Sequence, residues 1–305
     1  MSGPLVEIVP NVSEGRDRAK IEELAAVVGA VEGVRLLDRH TDPDHNRTVF
    51  TLAGSPEAVV EAGVRLAGKA AELIDLNRHR GVHPRIGALD VLPFVPLRRI
   101  SLEECAGLAV RAGERIWREH RIPVYLYGAA ARRPERRLAE IRRGGFEALR
   151  EAAARDPERA PDIGGPGLHP TAGATAAGAR KIMIAYNVLL ETPDVTVAGR
   201  IARRIRASSG GLPEVQAMGV YLPRRGLAQV SMNLLDYGAT PVHEVFLAVA
   251  REAEREGVAV RSSEVVGLIP RRALKMAEAA GVDLKWENLR PDAVLEERLK
   301  ACGLQ

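Results

Sequence analysis

The sequence predicts an α+β fold in two parts with similar element order. Runs of strand and helix period alternate as β-α-β-β-α-β-α-β in the first half and β-α-β-β-α-β in the second. No glycine-rich nucleotide loop interrupts the first half. This order favours a sheet with helices on one face. We place the subdomain boundary between residues 1–178 and 179–305, although no repeat of single residues is visible.

Each predicted element depends on local spacing and on end signals. Apolar residues recur at helical spacing over 55–76, after an N-cap serine and a proline at the first helical position. Ser101 and Glu104 are spaced as a capping box for a helix that ends near residue 119. The other predicted elements are strands 5–9, 34–38, 48–52, 89–95, 123–128, 180–190, 215–222, 227–234 and 264–268, and helices 17–28, 195–208, 241–256 and 270–280.

The charge of the chain fits a mildly basic enzyme with a small anionic substrate as well as it fits a nucleic-acid binder, and no RNA or DNA motif decides for the latter. With 305 residues, of which 46% are hydrophobic, the chain can form one large or two medium domains. The net charge is only +4 and arginine carries most of the basic character, since there are six lysines. The arginine fork can bind carboxylate and phosphate bidentately. Aromatic residues make up 4%, which argues against stacking surfaces for single strands.

The cysteines and the start of the chain predict a cytoplasmic protein. Cys105 and Cys302 lie far apart, in no disulfide or metal motif, which is typical of a reducing compartment. The first ten residues have no basic region followed by an apolar core, and no apolar run reaches eighteen residues. We therefore expect no membrane partner.

Two polar connections near the start of the chain are candidate site loops. Asn11 and Ser13 follow the first strand, and local spacing favours them as caps of the next helix. Residues 42–44, Asp-Pro-Asp, suit either a turn or a site. Asn46 and Arg47 enter the following strand, and for them a functional role is favoured.

The loop over residues 78–90 is the strongest candidate site. Two glycines and a proline prevent regular structure in it, and loops of this kind often carry working residues. His83 has the side chain best suited to take and return a proton near neutral pH, or it simply pairs with Asp90. His79 lies four residues earlier, but without a helix this spacing does not predict a metal site. Arginines that either bind an anion or are solvated stand at Arg78, Arg80 and Arg85.

Two later segments have little core pattern. The arginine-rich segment 132–150 is predicted as a solvated helix interrupted by two glycines. Residues 162–178 are rich in glycine and alanine and suit a flexible linker between domains. Alternatively, their small side chains let the backbone approach a flat ligand closely.

Taken together, these motifs resemble the glutamate formimidoyltransferase family, whose domain is fused to a cyclodeaminase in animals. The matching stretches run in order with compatible spacing. They are residues 9–15, 46–49, 78–93, 123–128, 173–175 with 178–181, 227–236 and 266–270.

The resemblance implies two ferredoxin-like α/β subdomains, with sheets facing a central cleft and helices outside, usually in a homodimer. It implies transfer of the formimidoyl group from N-formimidoyl-L-glutamate to N5 of tetrahydrofolate, a one-carbon reaction of histidine degradation. Tetrahydrofolate is then a co-substrate, and no metal is expected. The catalytic histidine of the family's Gly-x-His-Pro-Arg motif falls on His83. The folate-contacting loop falls on Gly164, Gly165, Pro166, Gly167, Leu168, His169, Pro170, Thr171, Ala172 and Gly173.

The expected chemistry agrees with these residue types. N5 must lose a proton as it attacks the amidine carbon, and the leaving glutamate nitrogen must gain one. A single histidine, His83, can do both if its pKa stays near neutral. Arg47 and Arg85 are candidates for binding substrate carboxylates. Asp38, Asn46 and Asp90 are candidates for orienting these groups.

The folate loop departs from the family pattern at two positions. Ala172 stands where relatives commonly carry tryptophan, and His169 where an apolar residue is usual, so folate affinity or the accepted folate form is expected to differ. No cyclodeaminase follows, so a deaminase step is expected to need a separate protein. The alternatives are a related formyl transfer between glutamate and folate, and a non-catalytic folate-binding homologue.

Overall fold

The computed structural model describes residues 3–134, 136–287 and 289–304. The chain divides into two compact units, the first running through Arg180 together with Leu304, the second from Lys181 to Gly303. Both units are α+β, as the element order predicts. Within the described residues, no helix is long and apolar enough to cross a membrane.

The first unit is built on one mixed sheet. Its strands are Leu5–Ile8 (β1), Asn11–Val12 (β2), Val34–Asp42 (β3), Arg47–Gly54 (β4), Leu89–Arg98 (β5), Val124–Gly128 (β6) and Thr175–Ala179 (β7). Its helices are Arg18–Gly29 (α1), Pro56–Leu73 (α2), Leu102–His120 (α3), Leu138–Ile141 (α4) and Gly145–Arg155 (α5).

The strand order of this sheet is ferredoxin-like with an extension. β1 and β2 both pair with β4 on one side and β5 on the other, so they act as one strand interrupted at Val9 and Pro10. β3 pairs with β4 at one edge, and all these pairings are antiparallel. Elements β1 to β5 with α1 and α2 therefore form a β-α-β-β-α-β unit. Beyond β5, the strands β7 and β6 continue the sheet in parallel.

The main core lies between this sheet and helices α1, α2 and α3. Val59 and Leu66 of α2 and Ile116 of α3 belong to one buried cluster with Phe94 of β5. Burial of each such side chain contributes roughly 1.5–3 kcal/mol. The helices that cover this face therefore hold the sheet that presents the candidate site.

Helix starts follow the local chemistry of the sequence, with one correction. The capping box of α3 is present: Ser101 Oγ accepts the Glu104 N–H at 3.0 Å, and the Glu104 carboxylate accepts the Ser101 N–H at 2.7 Å. The cap predicted for α1 was wrong. Asp17 caps this helix, accepting two N–H groups of the first turn, which leaves Asn11 and Ser13 free for other contacts.

The segment 132–150 is not simply a solvated helix. It forms α4 and the start of α5, separated near Gly144. Ile141 and Leu149 are buried against Tyr125 in a second small cluster. The strand residues of this cluster alternate with those that face α1–α3, so α4 and α5 cover the opposite face of the sheet.

The alanine- and glycine-rich segment before residue 180 contributes a core strand. All five residues of β7 are buried, and β7 lies between β5 and β6. A Cβ at Gly178 would lie 2.4 Å from the Tyr127 carbonyl oxygen, so only glycine fits there. The linker interpretation was therefore wrong: these small residues allow close packing inside the first unit.

The second unit contains one antiparallel sheet. Its strands are Ile184–Leu190 (β8), Val215–Leu222 (β9), Leu227–Leu234 (β10) and Val260–Val266 (β11), in the order β11-β8-β10-β9. Its helices are Val195–Ile205 (α6), Val242–Arg255 (α7), Arg271–Ala279 (α8) and Leu295–Ala301 (α9), with 3-10 turns at Ala207–Ser209 and Pro291–Ala293. Alternate residues of β8 and β10 pack against α6 and α7. This is again a ferredoxin-like β-α-β-β-α-β unit.

Three details of the second unit differ from the sequence prediction. β8 begins at Ile184, four residues later than the predicted start. β11 begins at Val260, four residues earlier than the predicted start, through polar residues that give no strand signal. Ser263 is nevertheless buried, because its hydroxyl donates to the Leu284 carbonyl at 2.5 Å. The short helix α9 was not predicted, since seven residues carry too little periodicity.

Candidate active site

The loop that carries His83 is held against the turn between β3 and β4. The Val82 N–H donates to the Asp44 carbonyl at 3.2 Å, and Asn46 Nδ2 donates to the Arg80 carbonyl at 3.0 Å. A Cβ at Gly81 would lie 2.3 Å from the His45 carbonyl oxygen. Glycine is therefore required for the loop to approach the turn this closely.

Asn46 joins these two segments to a third. Its Oδ1 accepts the Gly15 N–H at 2.9 Å, so the connection after β2 is also fixed. Its backbone has a φ of 48°, in the left-handed region, which asparagine tolerates better than most residues. The carbonyl of the same residue pairs with His79 Nε2 at 2.8 Å. Asn46 thus sets the relative position of three loops.

These loops enclose a small pocket in the first unit. Its lining residues are Val12, Ser13, His45, Asn46, Arg47, His79, His83, Arg85 and Asp90. The empty space among these side chains, counted together with the solvent at its mouth, is about 190 Å³, which leaves room for only part of a ligand. It therefore suits the reacting end of a substrate.

The environment of His83 favours its neutral form. Burial, together with the charges of Arg47 and Arg142 and the neighbouring His45, holds the His83 pKa well below the usual histidine range. Here the structure differs from the assumption of a near-neutral pKa, because burial disfavours the charged ring and two guanidinium groups oppose a third positive charge. His83 is therefore neutral at neutral pH, and it is a weaker base than an ordinary histidine as long as these charges are not offset.

Arg47 lines this pocket, and Arg142 pairs with the lining residue Asp90. Arg47 bonds to the neutral amide oxygen of Asn11, and burial together with Arg142 lowers the Arg47 pKa to about 10. Within the described part of the chain, no acceptor contacts the buried Nε–H of either arginine. Unpaired buried donors carry a desolvation cost that a bound anion removes.

Asp90 holds one of these arginines in place. Its Oδ1 accepts the Ile86 N–H at 2.7 Å, and its Oδ2 pairs with Arg142. Asp90 therefore connects the His83 loop to α4, whose C-terminal end carries the arginine. The structure gives Asp90 an arginine partner and places it beside His83 in the pocket lining.

Arg85 is engaged in a network of its own. Its guanidinium makes a bidentate pair with Glu147, at 2.7 Å for both bonds, and its Nε donates to His79 Nδ1 at 3.1 Å. Because arginine can only donate, His79 must carry its proton on Nε2, which then donates to the Asn46 carbonyl. Burial lowers the His79 pKa, and the positive charge of Arg85 lowers it further. This network fixes the loop geometry.

Asp42 and His45 combine the two roles that the sequence left open. Asp42 Oδ1 accepts the N–H groups of Asp44 and His45 at 2.8 and 2.9 Å, which is turn chemistry. Its Oδ2 pairs with His45 Nδ1 at 2.8 Å. Burial works to raise the Asp42 pKa, but the bonds from His45 outweigh it and hold the pKa at about 2. The His45 ring lines the pocket, with its centroid 6.0 Å from that of His83.

The glycine-rich segment 164–173 is joined to the His83 loop by backbone bonds. Leu76 N–H donates to the Thr171 carbonyl and Ala88 N–H to the Ala172 carbonyl, both at 2.9 Å. A Cβ at Gly173 would lie 2.0 Å from the Ile86 carbonyl oxygen. The two candidate loops are therefore neighbours at one end of the first sheet, despite their separation in sequence.

His169 shapes the end of the glycine-rich segment. Its Nδ1 accepts the Ala172 N–H at 3.0 Å and the Thr171 N–H at 3.3 Å. Its backbone exchanges two hydrogen bonds with Gly173, at 2.9 and 3.0 Å. Burial lowers the His169 pKa, so the imidazole remains an acceptor at neutral pH. Ala172 is fully buried in the main core.

Family models for the formiminotransferase domain match the chain across both units. The model for the N-terminal subdomain matches residues 5–180, and that for the formiminotransferase domain matches residues 185–291. This chain belongs to the formiminotransferase family.

Proteins of this family are similar in sequence to this chain over most of its length. It is 45% identical over 271 residues to glutamate formimidoyltransferase of Streptococcus pyogenes serotype M1, covering 88% of this chain and 90% of that protein. It is 44% identical over 305 residues to glutamate formimidoyltransferase of Thermoplasma acidophilum, covering 99% of each. It is 46% identical over 304 residues to formimidoyltransferase-cyclodeaminase of Gallus gallus, covering 97% of this chain but 55% of that longer protein.

The formiminotransferase fold gathers most of the candidate residues, but not all. His83, Asn46, Arg47, Arg85 and Asp90 line one pocket. Asp38 does not line it, although it is buried on β3, with other contacts. Among the residues described, no group of three or more histidine, cysteine, aspartate or glutamate side chains could hold a metal ion.

Sequence reasoning overlooked His45 and Arg142 and misjudged Ser13. The Ser13 hydroxyl donates to the Gly87 carbonyl at 2.7 Å, inside the pocket region, rather than capping a helix. Arg142 lies in a segment that looked solvated, and it belongs to no recognisable motif. The apolar neighbours Ile141 and Phe146 indicate a buried face, which is the one clue the sequence offered.

Proposed function

We propose that this protein transfers the formimidoyl group from N-formimidoyl-L-glutamate to N5 of tetrahydrofolate and releases glutamate, as a step of histidine degradation. Two relatives that match most of the chain carry the name glutamate formimidoyltransferase. The observation that carries the residue-level proposal is the lowered pKa of His83 near the buried Nε–H groups of Arg47 and Arg142, which no described group accepts.

The chemistry requires a base at the attacking nitrogen. N5 of tetrahydrofolate becomes acidic as its lone pair bonds to the amidine carbon, and His83 accepts that proton. A positioned base of this kind typically contributes about 10²–10⁴-fold to the rate. Substrate carboxylates near Arg47 and Arg142 then offset the charges that oppose protonation of His83. Donor binding thereby raises the His83 pKa when the proton must be taken up.

Arg47 and Arg142 are proposed to bind the carboxylates of the glutamate donor. Both present a buried Nε–H that no described group accepts, and guanidinium pairs with carboxylate are among the stronger hydrogen bonds. Arg85, the other candidate from the sequence, already binds Glu147 through both terminal nitrogens. We therefore assign Arg85 to support of the loop rather than to direct contact with substrate.

The segment 164–173 is proposed to bind tetrahydrofolate. Gly167 has a positive φ of 99°, and a Cβ there would meet no atom within 4 Å, so at this residue the backbone is open to close approach by a flat ligand. The bonds of the segment to Leu76 and Ala88 place it beside the His83 loop. A titration with tetrahydrofolate should therefore weaken when Gly167, which has open space around it, is replaced by a bulkier side chain.

The family resemblance also supports proposals about partners. We propose a homodimer, which light scattering of the purified protein can test. The Gallus gallus relative carries cyclodeaminase in its name and is about twice as long as the matched region. We propose that a separate cyclodeaminase processes the product formed here.

The direct test is glutamate release from N-formimidoyl-L-glutamate and tetrahydrofolate by wild type and by His83→Ala. We expect release by the wild type and a loss of about 10²–10⁴-fold in the variant. His243→Gln, a histidine change in the second unit, is the control. Equal turnover by wild type and His83→Ala would remove His83 as the base, whereas an inactive wild type that still binds tetrahydrofolate would contradict the donor.

A further inference from the structure

The pocket contains a second imidazole that the proposed reaction has not yet used. His45 and His83 both line it, with ring centroids 6.0 Å apart and ring planes tilted by 51°. His45 is buried, with 7% of its surface exposed. In the tetrahedral intermediate the attacking N5 and the leaving glutamate nitrogen are bonded to the same carbon, so rings at this separation can contact one of these nitrogens each.

Asp42 orients His45 and fixes its proton. The ionised Asp42 carboxylate can only accept hydrogen bonds, so the bond at 2.8 Å must come from an Nδ1–H of His45. The other carboxylate oxygen is held by two backbone N–H groups of the turn. His45 Nε2 is thereby left for the pocket. A carboxylate behind an imidazole stabilises the protonated ring.

The two rings lie in opposite electrostatic surroundings. His83 faces the guanidinium groups of Arg47 and Arg142, and the carboxylate of Asp90 is already paired with Arg142. His45 is backed by the carboxylate of Asp42. Titratable groups whose surroundings differ in this way divide the acid and base roles in a site.

We propose that His45, oriented by Asp42, is the general acid that protonates the departing glutamate nitrogen, while His83 takes the proton of N5. This inference depends on the proposed function. It makes His45 a catalytic residue and Asp42 a positioning residue. The reaction then uses two histidines, where the sequence suggested one.

The proton balance of this scheme is complete. The N5 lone pair forms the new N–C bond, the C=N pair moves onto the imino nitrogen, and His83 receives the N5 proton. The imino lone pair then re-forms C=N as the bond from carbon to the glutamate nitrogen breaks, and protonated His45 supplies that nitrogen with a proton. His83 ends protonated and His45 neutral, and exchange with water restores both.

The test compares His45→Gln with His83→Gln on the native substrates. We expect His45→Gln to lower kcat by about 10²-fold, with KM for the donor changed less than threefold. Cleavage without a proton donor should become rate-limiting, so the ¹⁵N isotope effect at the leaving nitrogen should increase in His45→Gln. It should not increase in His83→Gln, where attack by N5 becomes limiting. His120→Gln, a change at the end of α3, is the control.

Several outcomes would overturn the acid role. A wild-type kcat in His45→Gln would do so, and so would a lowered kcat with an unchanged ¹⁵N isotope effect, which would show that His45 only supports the turn. Failure of the wild type to release glutamate would instead contradict the proposed function.

A measurement without substrate tests the pair independently. The structure predicts an exchange-protected Nδ1 proton of His45 in the nuclear magnetic resonance spectrum, and its loss in Asp42→Asn with the fold retained. A His45 ring protonated only on Nε2 in the folded wild type would overturn the assigned orientation, whatever the enzyme does to substrate.

Discussion

The two units share one strand order but differ at equivalent turns. The β3–β4 turn is Pro-Asp-His-Asn over residues 43–46, and the β9–β10 turn is Pro-Arg-Arg-Gly over residues 223–226. Both place a residue with positive φ just before the next strand, Asn46 at 48° and Gly226 at 66°. At this position the first unit has a side chain that bonds to two other loops, whereas the second unit has a glycine, which has no side chain to bond.

The connections from the second helix of each unit to its next strand also differ, and again the first unit has more polar side chains. Between α2 and β5 the first unit has fifteen residues, which include His79, His83 and Arg85, whereas the α7–β11 connection of the second spans residues 256–259. Among the described residues, every buried charged or histidine side chain belongs to the first unit. The buried polar residues described in the second unit, such as Asn187 and Gln229, are neutral. On a shared scaffold, buried charge is thus concentrated in one of the two units.

Among the changes that test this difference between the two units, removal of the Arg47 charge should have the largest effect on activity. Arg47→Gln removes the donor proposed for the substrate carboxylate, a bond worth about 1.5–3 kcal/mol, so kcat/KM should fall by roughly 10- to 100-fold. Loss of this positive charge also raises the His83 pKa toward its usual value, so the acid limb of the pH–kcat/KM profile should move to higher pH. Arg204→Gln, at an exposed arginine of the second unit, should leave both unchanged. An acid limb that does not move would contradict the electrostatic account of His83.

The buried carboxyl of Glu7 should show how much a buried ionisable group lowers the free energy of unfolding of the first unit. Burial raises the Glu7 pKa to about 7, against the opposing charge of Arg180. The folded protein therefore binds this proton more tightly than the unfolded chain, and stability is lost as pH rises from about 4.5 to 7. Glu7→Gln should raise the free energy of unfolding by roughly 1–3 kcal/mol at pH 8 and by much less at pH 4. Denaturant unfolding at both pH values measures this, and an equal change at both would count against burial as the cause.

Asn46→Gly should make the β3–β4 turn resemble the β9–β10 turn, which has a glycine at the equivalent position. Glycine keeps the positive φ but removes the bonds to Gly15 and Arg80, so the loops lose their common anchor. We expect kcat/KM to fall about tenfold, the equivalent of roughly 1.4 kcal/mol. The far-ultraviolet circular dichroism spectrum should not change. Wild-type activity in this variant would show that backbone contacts alone position the loops.

The reverse change, Gly226→Asn, should have the smallest effect. A Cβ at Gly226 would meet no atom within 4 Å, and asparagine tolerates the left-handed region. We expect the free energy of unfolding to change by less than about 1 kcal/mol and turnover to stay at the wild-type level. A large loss of activity would indicate that the turn of the second unit contributes to the reaction.

The fold was more predictable than the site, for reasons visible in particular residues. Strand and helix periods are local, so β9 and β10 matched their predicted bounds and the Ser101 capping box formed. The strand β7 was missed because its residues are small, and their burial depends on partners about fifty residues away in β6.

The site was only partly predictable because its members come from distant segments. His83 was found because its loop is rich in polar residues and carries a family motif. Arg142 has no such neighbourhood, and only the folded chain brings it to Asp90. His45 resembled a turn residue, and the turn chemistry of Asp42 is real; the structure shows that one carboxylate serves both the turn and the imidazole.

The position of β7 has a consequence for the order in which the chain can fold during synthesis. β6 leaves the ribosome well before β7, and β7 must enter between β5 and β6 to complete the sheet. Until residue 179 has emerged, one edge each of β5 and β6 lacks its parallel partner and is open to pairing with other chains. The first unit therefore cannot finish folding early, and nascent chains that stop within residues 129–174 should depend most on chaperones.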